Sequence, residues 1–75
     1  MQYQINKLSD IKKFHDILME IKFPTLVLRE GRQMDGKSLL GLISMDLSRP
    51  FELEIGGDVS EDVLKRLNKW TVKDK

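Results

Sequence analysis

The sequence contains no cysteine and only two prolines among its 75 residues. Without cysteine the chain can form neither disulfides nor thiolate metal sites, so packing alone must stabilise it. It also lacks an excess of either charge, since 13 basic and 12 acidic residues leave a formal net charge of +1. A nucleic-acid-binding domain is expected to be clearly basic, so this balance argues against nucleic acid as a partner.

Long apolar runs are absent as well. No stretch approaches the roughly 20 apolar residues that a membrane-spanning helix needs, so we expect no membrane partner. The N-terminus, Met1–Ile5, has no basic start followed by an apolar segment, and therefore does not resemble a signal peptide. We expect a single cytoplasmic domain covering residues 1–75.

What the sequence does contain is a regular series of strand and helix patterns. Alternation of apolar and polar residues over 2–7 and 51–55 predicts two strands, and the short β-rich stretch 25–29 predicts a third, with 33–35 returning beside it as a brief antiparallel partner. Helical spacing predicts three helices, of which the second is short. Their predicted buried stripes are Ile11, Phe14, Ile17, Leu18, Met19 and Ile21 in the first, Leu42, Met45 and Leu47 at the second, and Val63, Leu64, Leu67 and Trp70 in the third.

Helix starts are indicated by residues whose side chains cap free backbone amides. Ser9 or Asp10 is the predicted cap of the first helix, Ser38 that of the second, and Asp58 or Ser60 that of the third.

The order β-α-β-β-α-β-α predicts an α+β fold with a four-stranded antiparallel sheet. Because each strand alternates, the apolar positions should share one face, which three helices must cover, while water wets the other. The result is an open-faced β-sandwich; the nearest alternative, a ferredoxin-like fold, usually has a longer second helix. The polar face is predicted to hold Gln2, Gln4, Thr25, Arg29, Glu52 and Glu54.

The most informative segment runs from Gly36 to Leu47. Its short helix carries apolar residues on two sides, and only one side can face the core. The other side, formed by Leu39, Leu40 and Ile43, is the candidate surface for binding a protein partner. The alternative is that the last helix or the tail partly covers these residues.

The element order and the segment Lys37-Ser38-Leu39-Leu40-Gly41-Leu42 resemble the HPr family, the histidine-containing phosphocarriers of the bacterial sugar phosphotransferase system. The resemblance covers nearly the whole chain and implies the HPr-like open-faced β-sandwich. It also implies that Ser38 corresponds to a serine that is a regulatory phosphorylation site in many Gram-positive members. The apolar residues after that serine form a docking surface in the family.

The phosphoacceptor histidine of that family is missing. Its first helix starts with the motif Gly-Leu/Ile-His-Ala/Thr-Arg-Pro, whereas this chain has Lys7-Leu8-Ser9-Asp10-Ile11-Lys12. Without an imidazole at this place, a phosphohistidine donor has no acceptor. The resemblance is therefore to a degenerate member that is not an enzyme and acts as a regulatory or adaptor protein.

Three alternatives stay open. Ser38 could serve only as a helix cap, or it could carry a phosphate favoured by the helix dipole and by Lys37 alongside. His15, the one histidine, could be a relocated phosphoacceptor, although its place inside the helix predicts a residue at the border of the exposed face. The candidate surface could also join two copies of the chain in a structural homodimer.

The sequence gives no indication of a metal site, a cofactor site or a phosphate-binding loop. His15, Asp16 and Glu20 do not provide a ligand pair on one helix face, so no metal site is expected. Gly36-Lys37-Ser38 resembles the end of a P-loop but lacks the required upstream glycine. A basic side on the last helix is best interpreted as a solvated face; its members are Lys65, Arg66, Lys69 and Lys73.

Overall fold

The structure, a computed structural model, describes residues 2–72 of the chain. Its elements follow the predicted order, with β1 shorter than the alternation over 2–7 indicated. The strands are β1 (Gln2–Tyr3), β2 (Thr25–Arg29), β3 (Arg32–Asp35) and β4 (Phe51–Ile55). The helices are α1 (Leu8–Met19), α2 (Leu39–Ser44) and α3 (Glu61–Leu67), and α3 continues into a 3₁₀ turn, Asn68–Trp70.

The four strands form one antiparallel sheet in the order β1-β4-β2-β3. A two-residue loop closes the hairpin of β2 and β3, and both of its residues, Glu30 and Gly31, have positive φ angles of 49° and 78°. Positive φ at both positions is what the twist of a two-residue hairpin requires. Only glycine adopts it without a steric cost, so Glu30 holds a conformation that the hairpin imposes on it.

The chain after α3 covers the β1 edge of the sheet. The Gln4 amide donates to the Trp70 carbonyl at 2.9 Å, and the Val72 amide donates to the Gln2 carbonyl at 2.8 Å. These two bonds satisfy backbone groups that an edge strand would otherwise leave open to another chain.

The predicted division of β2 between the two faces of the sheet is wrong. Thr25 pairs with Ile55 and Val27 pairs with Leu53, and directly paired residues point to the same side. Thr25, Val27 and Arg29 therefore lie on the face that the helices cover, and Thr25 is only 1% exposed. A slip of one residue exchanges the faces of a strand, so the register decides where each side chain of β2 lies.

Two leucines of β2 lie on the open face as a consequence. Leu26 and Leu28 pair with Glu54 and Glu52, whose side chains were correctly predicted to face outward. Alternation could not decide the faces of β2, because apolar residues occupy both sets of its positions.

The core lies between the sheet and the helices, with Phe14 of α1 at its centre. The Phe14 ring is fully buried and lies 5.9 Å from the ring of Tyr3, 5.7 Å from that of Phe51 and 5.6 Å from that of Trp70, measured between centroids. The contacts with Phe51 and Trp70 are edge-to-face, a favourable geometry for aromatic pairs. Most of the predicted stripes are also buried: Ile11, Ile17, Leu18, Ile21, Leu42, Met45, Leu47, Val63 and Leu67.

Two residues of the predicted stripes are instead exposed. Met19 is 55% exposed and Leu64 is 47% exposed. Each follows a buried residue in sequence, Leu18 or Val63, and so points about 100° away from it around the helix. The sheet covers a narrower stripe of α1 and α3 than the apolar pattern indicated.

The caps of α2 and α3 are formed by serines. The Ser38 hydroxyl accepts a hydrogen bond from the Gly41 amide at 3.2 Å, as predicted. The Ser60 hydroxyl accepts one from the Val63 amide at 3.3 Å, which decides between Ser60 and Asp58 in favour of the serine. Each such cap contributes about 1 kcal/mol to the stability of its helix.

The cap predicted for α1 is wrong. The helix begins at Leu8, with Lys7 at the N-cap position and no side-chain bond to a free amide. The Asp10 amide donates to the Lys7 carbonyl at 3.0 Å, so Ser9 and Asp10 already belong to the first turn. Asp10 still favours the helix electrostatically, because a negative charge near the N-terminus complements the helix dipole.

Candidate protein-docking site

Helix α2 is held in place by the residues at its C-terminal end. Leu42, Met45 and Leu47 are buried as predicted. Gly41 allows α2 to lie close to β3, since a Cβ atom at this position would stand only 2.5 Å from the sulfur of Met34. Any other residue at Gly41 would require the Met34 side chain or α2 itself to shift.

The opposite side of α2 carries the apolar patch, which we define as Leu39, Leu40 and Ile43. Leu40 is 81% exposed and Ile43 is 44% exposed, whereas Leu39 is partly buried against the core. Within the described residues α3 does not line the groove beside this patch, so the alternative that the last helix covers the patch finds no support there.

A residue of α1 that sequence reasoning missed lies next to the apolar patch. Leu8 is 64% exposed and borders a groove of about 380 Å³ between α1 and α2. Its walls are formed by Leu8, Ser9, Lys12, Leu39 and Ile43. Leu8 and Leu39 are far apart in the sequence, and only the packing of the two helices brings them to one groove.

Ser38 stands at the edge of this surface, half-buried. Its hydroxyl is engaged as the cap of α2, and its amide donates to the Asp35 carbonyl at 3.0 Å. Lys37 was expected beside a phosphate on Ser38, but its ammonium donates to the Ile21 carbonyl at 2.6 Å. That bond ties the segment before α2 to the chain just after α1.

His15, inside α1, joins that helix to the same segment before α2. Its Nε2 lies 2.9 Å from the Lys37 carbonyl oxygen, and its side chain is only 14% exposed. A carbonyl can only accept, so Nε2 must carry the hydrogen of this bond. The other ring nitrogen lies 3.8 Å from a carboxylate oxygen of Asp16. The Lys37 carbonyl oxygen carries a partial negative charge and the Asp16 carboxylate a full one. Neither group would stabilise a phosphoryl group on His15.

The titratable groups with shifted pKa values lie away from the apolar patch. A hydrogen bond from Arg66 lowers the pKa of Glu20, and one from the Ser48 hydroxyl lowers the pKa of Asp46. Burial raises the pKa of the Tyr3 hydroxyl. Each of these shifts has a structural cause, so they do not indicate a group tuned for proton transfer.

Residues 2–72 contain neither a candidate metal centre nor a candidate membrane-spanning helix. No group of three or more histidine, aspartate or glutamate side chains in this range is placed to hold a metal ion. No helix in this range is long and apolar enough to cross a bilayer.

Comparison with known proteins gives similarity in structure only. A scan against protein-family models and a search of curated proteins find no match. Among solved structures, HPr-C-His from Thermoanaerobacter tengcongensis superposes with a TM-score of 0.74 over 92% of this chain and 85% of its own, at 18% sequence identity. The Bacillus subtilis catabolite repression protein Crh, described as an intertwined dimer with a swapped domain, superposes with a TM-score of 0.67 over 97% of this chain and 90% of its own, at 15% identity.

These similarities agree with the architecture described above. Both superpositions cover most of this chain. They therefore include most of the four-stranded antiparallel sheet, which has helices on one face and an open opposite face. The predicted resemblance is confirmed at the level of the fold: the chain has the α+β fold of the HPr-family proteins.

Proposed function

We propose that this protein is an HPr-related regulatory or adaptor protein of the cytoplasm, which acts by binding protein partners and not by phosphoryl transfer. The observation that carries the proposal is the exposure of Leu40 and Ile43 next to Ser38, on an HPr-like fold. The start of α1 supports the second half of the proposal, because residues 7–12 contain no histidine.

The apolar patch offers anchoring positions for a partner. Transfer of a largely exposed leucine such as Leu40 into a partner would contribute about 1.5–2 kcal/mol. The groove between Leu8 and Ile43, about 380 Å³ in volume, could accept one large apolar side chain from the partner. A few anchors of this kind usually carry most of the binding free energy of an interface.

Phosphorylation of Ser38 is the proposed means of regulation. A phosphate there would place about 1.5–2 negative charges at the edge of the apolar patch. A partner would then need a basic residue opposite Ser38, so the modification would change which partner binds. A kinase must first release the Ser38 hydroxyl from the Gly41 amide, at a cost of about 1 kcal/mol.

Phosphotransfer is tested by incubating the protein with the general enzyme of the phosphotransferase system and labelled phosphoenolpyruvate, with an HPr as the positive control. We expect the HPr to be labelled and this chain to remain unlabelled. Label on His15 or Ser9 would contradict the proposal and favour the atypical phosphocarrier.

Docking is tested by titrating the protein with phosphotransferase-system proteins and following its backbone amide signals by NMR. The signals of residues 39–43 should shift, and Leu40→Glu should weaken that binding by about tenfold or more. Leu64→Glu is the matched control, because Leu64 is 47% exposed on α3 and lies outside the apolar patch. Equal losses in the two variants would contradict docking through the patch.

A second candidate function is a structural homodimer formed through the same patch. The Crh neighbour, described as an intertwined dimer, is the observation that favours self-association. Sedimentation of the wild type and of Leu40→Glu separates the two modes. A dimer that Leu40→Glu converts to a monomer uses the apolar patch, whereas a dimer that survives the substitution is formed through another surface or by exchange of a segment.

A further inference from the structure

A second groove, of about 490 Å³, lies between α1 and α3. Lys13 of α1 lies on one wall, and Lys65 and Lys69 lie on the other, near the C-terminal end of α3. The floor includes Ile17 and Trp70, which are both buried. We call this site the basic groove, and it shares no residue with the groove beside the apolar patch.

Most of the negative charge near the basic groove is already paired. Arg66 holds Glu20 through two hydrogen bonds of 2.6 and 2.7 Å, and it also lies 3.2 Å from a carboxylate oxygen of Asp62. The other carboxylate on the groove, that of Asp16, only approaches His15 at 3.8 Å and leaves one negative charge against the three lysines.

The three lysines of the groove remain without an ionic partner among residues 2–72. Lys65 and Lys69 are four residues apart where α3 continues into the 3₁₀ turn, so their like charges are neighbours and repel. The Lys69 ammonium lies 5.3 Å from the centroid of the Trp70 ring, a favourable cation–π contact. Within the described part of the chain Lys13 and Lys65 have no such contact, and the net repulsion among the three charges points to a negatively charged ligand.

Two observations identify the class of ligand. The Arg66 guanidinium, whose planar fork suits phosphate best, is occupied by Glu20, and the lysines that remain are separate point charges. Trp70 is buried, so its ring cannot stack on a nucleic-acid base. Several carboxylates spaced along one chain match the separated lysines better than a single phosphate or a nucleic acid does.

We propose that the basic groove binds an acidic, extended segment of a partner protein. Lys65 in α3 and Lys69 in the 3₁₀ turn are separated along the helix axis by about 6–8 Å, from a rise of about 1.5–2.0 Å per residue. Alternate side chains of an extended peptide are about 6.6 Å apart on one side. Two carboxylates at alternate positions can therefore contact Lys65 and Lys69, while a third reaches Lys13 across the groove.

The fluorescence of Trp70 can report binding at this site, because Trp70 is the only tryptophan of the chain. The ligand to be used is a blocked five-residue peptide with glutamate at alternate positions and serine between, and the control peptide has glutamine in place of glutamate. We expect a saturable change of tryptophan fluorescence with the glutamate peptide only. Raising the ionic strength from about 0.02 M to 0.5 M should weaken the binding about tenfold, because salt screens exposed charges.

The matched variants remove the same charge from different places. Combining Lys13→Gln, Lys65→Gln and Lys69→Gln should weaken peptide binding about tenfold to a hundredfold, since each exposed ion pair is worth a factor of about two to five. The control combines Lys7→Gln, Lys22→Gln and Arg32→Gln, which line no part of the basic groove, and should leave the affinity within about twofold. The groove variant should melt close to the wild type, because relief of like-charge repulsion offsets the lost contact of Lys69 with Trp70.

Amide shifts of residues 65–69 on addition of the peptide, followed by NMR, give a second readout of the same site. Leu40→Glu should leave this binding unchanged, so the basic groove can be tested whether or not the apolar patch binds a partner. Four results would overturn the proposal: no saturable binding up to about 10 mM peptide, equal losses in the two lysine and arginine variants, equal binding of the glutamine peptide, or tighter binding of inorganic phosphate or a five-nucleotide DNA.

Discussion

The two flanks of α1 are joined to their neighbours by different chemistry. On the side of α2, hydrogen bonds from His15 and Lys37 to backbone carbonyls fix the segment before that helix. On the side of α3, the ion pair of Arg66 with Glu20 connects that helix to the end of α1, and Asp62, one turn earlier in α3, also holds Arg66.

The side chains that stay exposed therefore differ between the two flanks of α1. Backbone hydrogen bonds fix α2 without using its outer leucines, so an apolar surface remains exposed. The ion pairs of Arg66 occupy carboxylates near α3, so the lysines there remain unpaired. The contacts that join the helices thus determine which side chains stay exposed on each flank. These side chains are apolar beside α2 and positively charged beside α3, and they suit different kinds of partner.

The largest effect should come from Phe14, because both flanks depend on the core beneath α1. Phe14→Ala should lower the free energy of unfolding by about 3–5 kcal/mol, through lost burial and the cavity left among three aromatic rings. That loss is comparable with the whole stability of a domain of this size, about 4–11 kcal/mol. Urea denaturation followed by circular dichroism measures it.

Met19→Ala is the control for this prediction, because Met19 lies on the same helix but is mostly exposed. It should change the free energy of unfolding by less than about 0.5 kcal/mol. Similar losses in the two variants would mean that the buried stripe of α1 is not what supports the two flanks.

The fold could be predicted from the sequence because most of the helices and strands have one continuous apolar face, which they bury. The stripe through Phe14 and Leu18, and the alternation of Phe51 with Glu52, each allow only one orientation. β2 could not be assigned in this way, since Leu26 and Leu28 made both of its faces apolar and pairing with β4 decided between them.

The candidate sites, like the fold, could be predicted from the sequence only in part. The exposure of Leu40 followed from its position on α2, opposite residues that must be buried. Leu8 and the basic groove could not be found in this way, because Lys13 and Lys65 are 52 positions apart and no local pattern connects them. The basic side of α3 was interpreted as a solvated face because its partner wall on α1 is visible only after folding.

A smaller effect is expected where α1 meets the segment before α2. His15→Ala removes the hydrogen bond to the Lys37 carbonyl and should lower the free energy of unfolding by about 1 kcal/mol. Amide hydrogen exchange at residues 37–41 should become faster, whereas exchange in α3 should not change.

Asp16→Ala is the matched control, since Asp16 is mostly exposed and only approaches His15 at 3.8 Å. It should change the stability by less than about 0.5 kcal/mol. If His15→Ala accelerated exchange equally in α2 and α3, the bond to Lys37 would not be specific to the α2 flank.

The smallest effect should be seen on the α3 flank, and it should depend on pH. The hydrogen bonds from Arg66 lower the pKa of Glu20 in the folded protein below its usual value of 4.5. A lowered folded pKa means that the unfolded chain binds the proton more readily, so the pair stabilises the fold above about pH 4.5. This contribution is lost as the pH falls through the lower pKa of the folded state.

Glu20→Gln removes the charge that Arg66 holds, and urea midpoints at a series of pH values measure the consequence. The variant should be less stable than the wild type near pH 7, and the difference should disappear as the pH falls from about 4.5 to 2. Glu54→Gln, on the open face of the sheet, forms no ion pair among residues 2–72 and should show no such convergence. A difference between wild type and Glu20→Gln that persists in acid would mean that the glutamate supports α3 through packing, and the contrast between an ionic flank and a hydrogen-bonded flank would then be wrong.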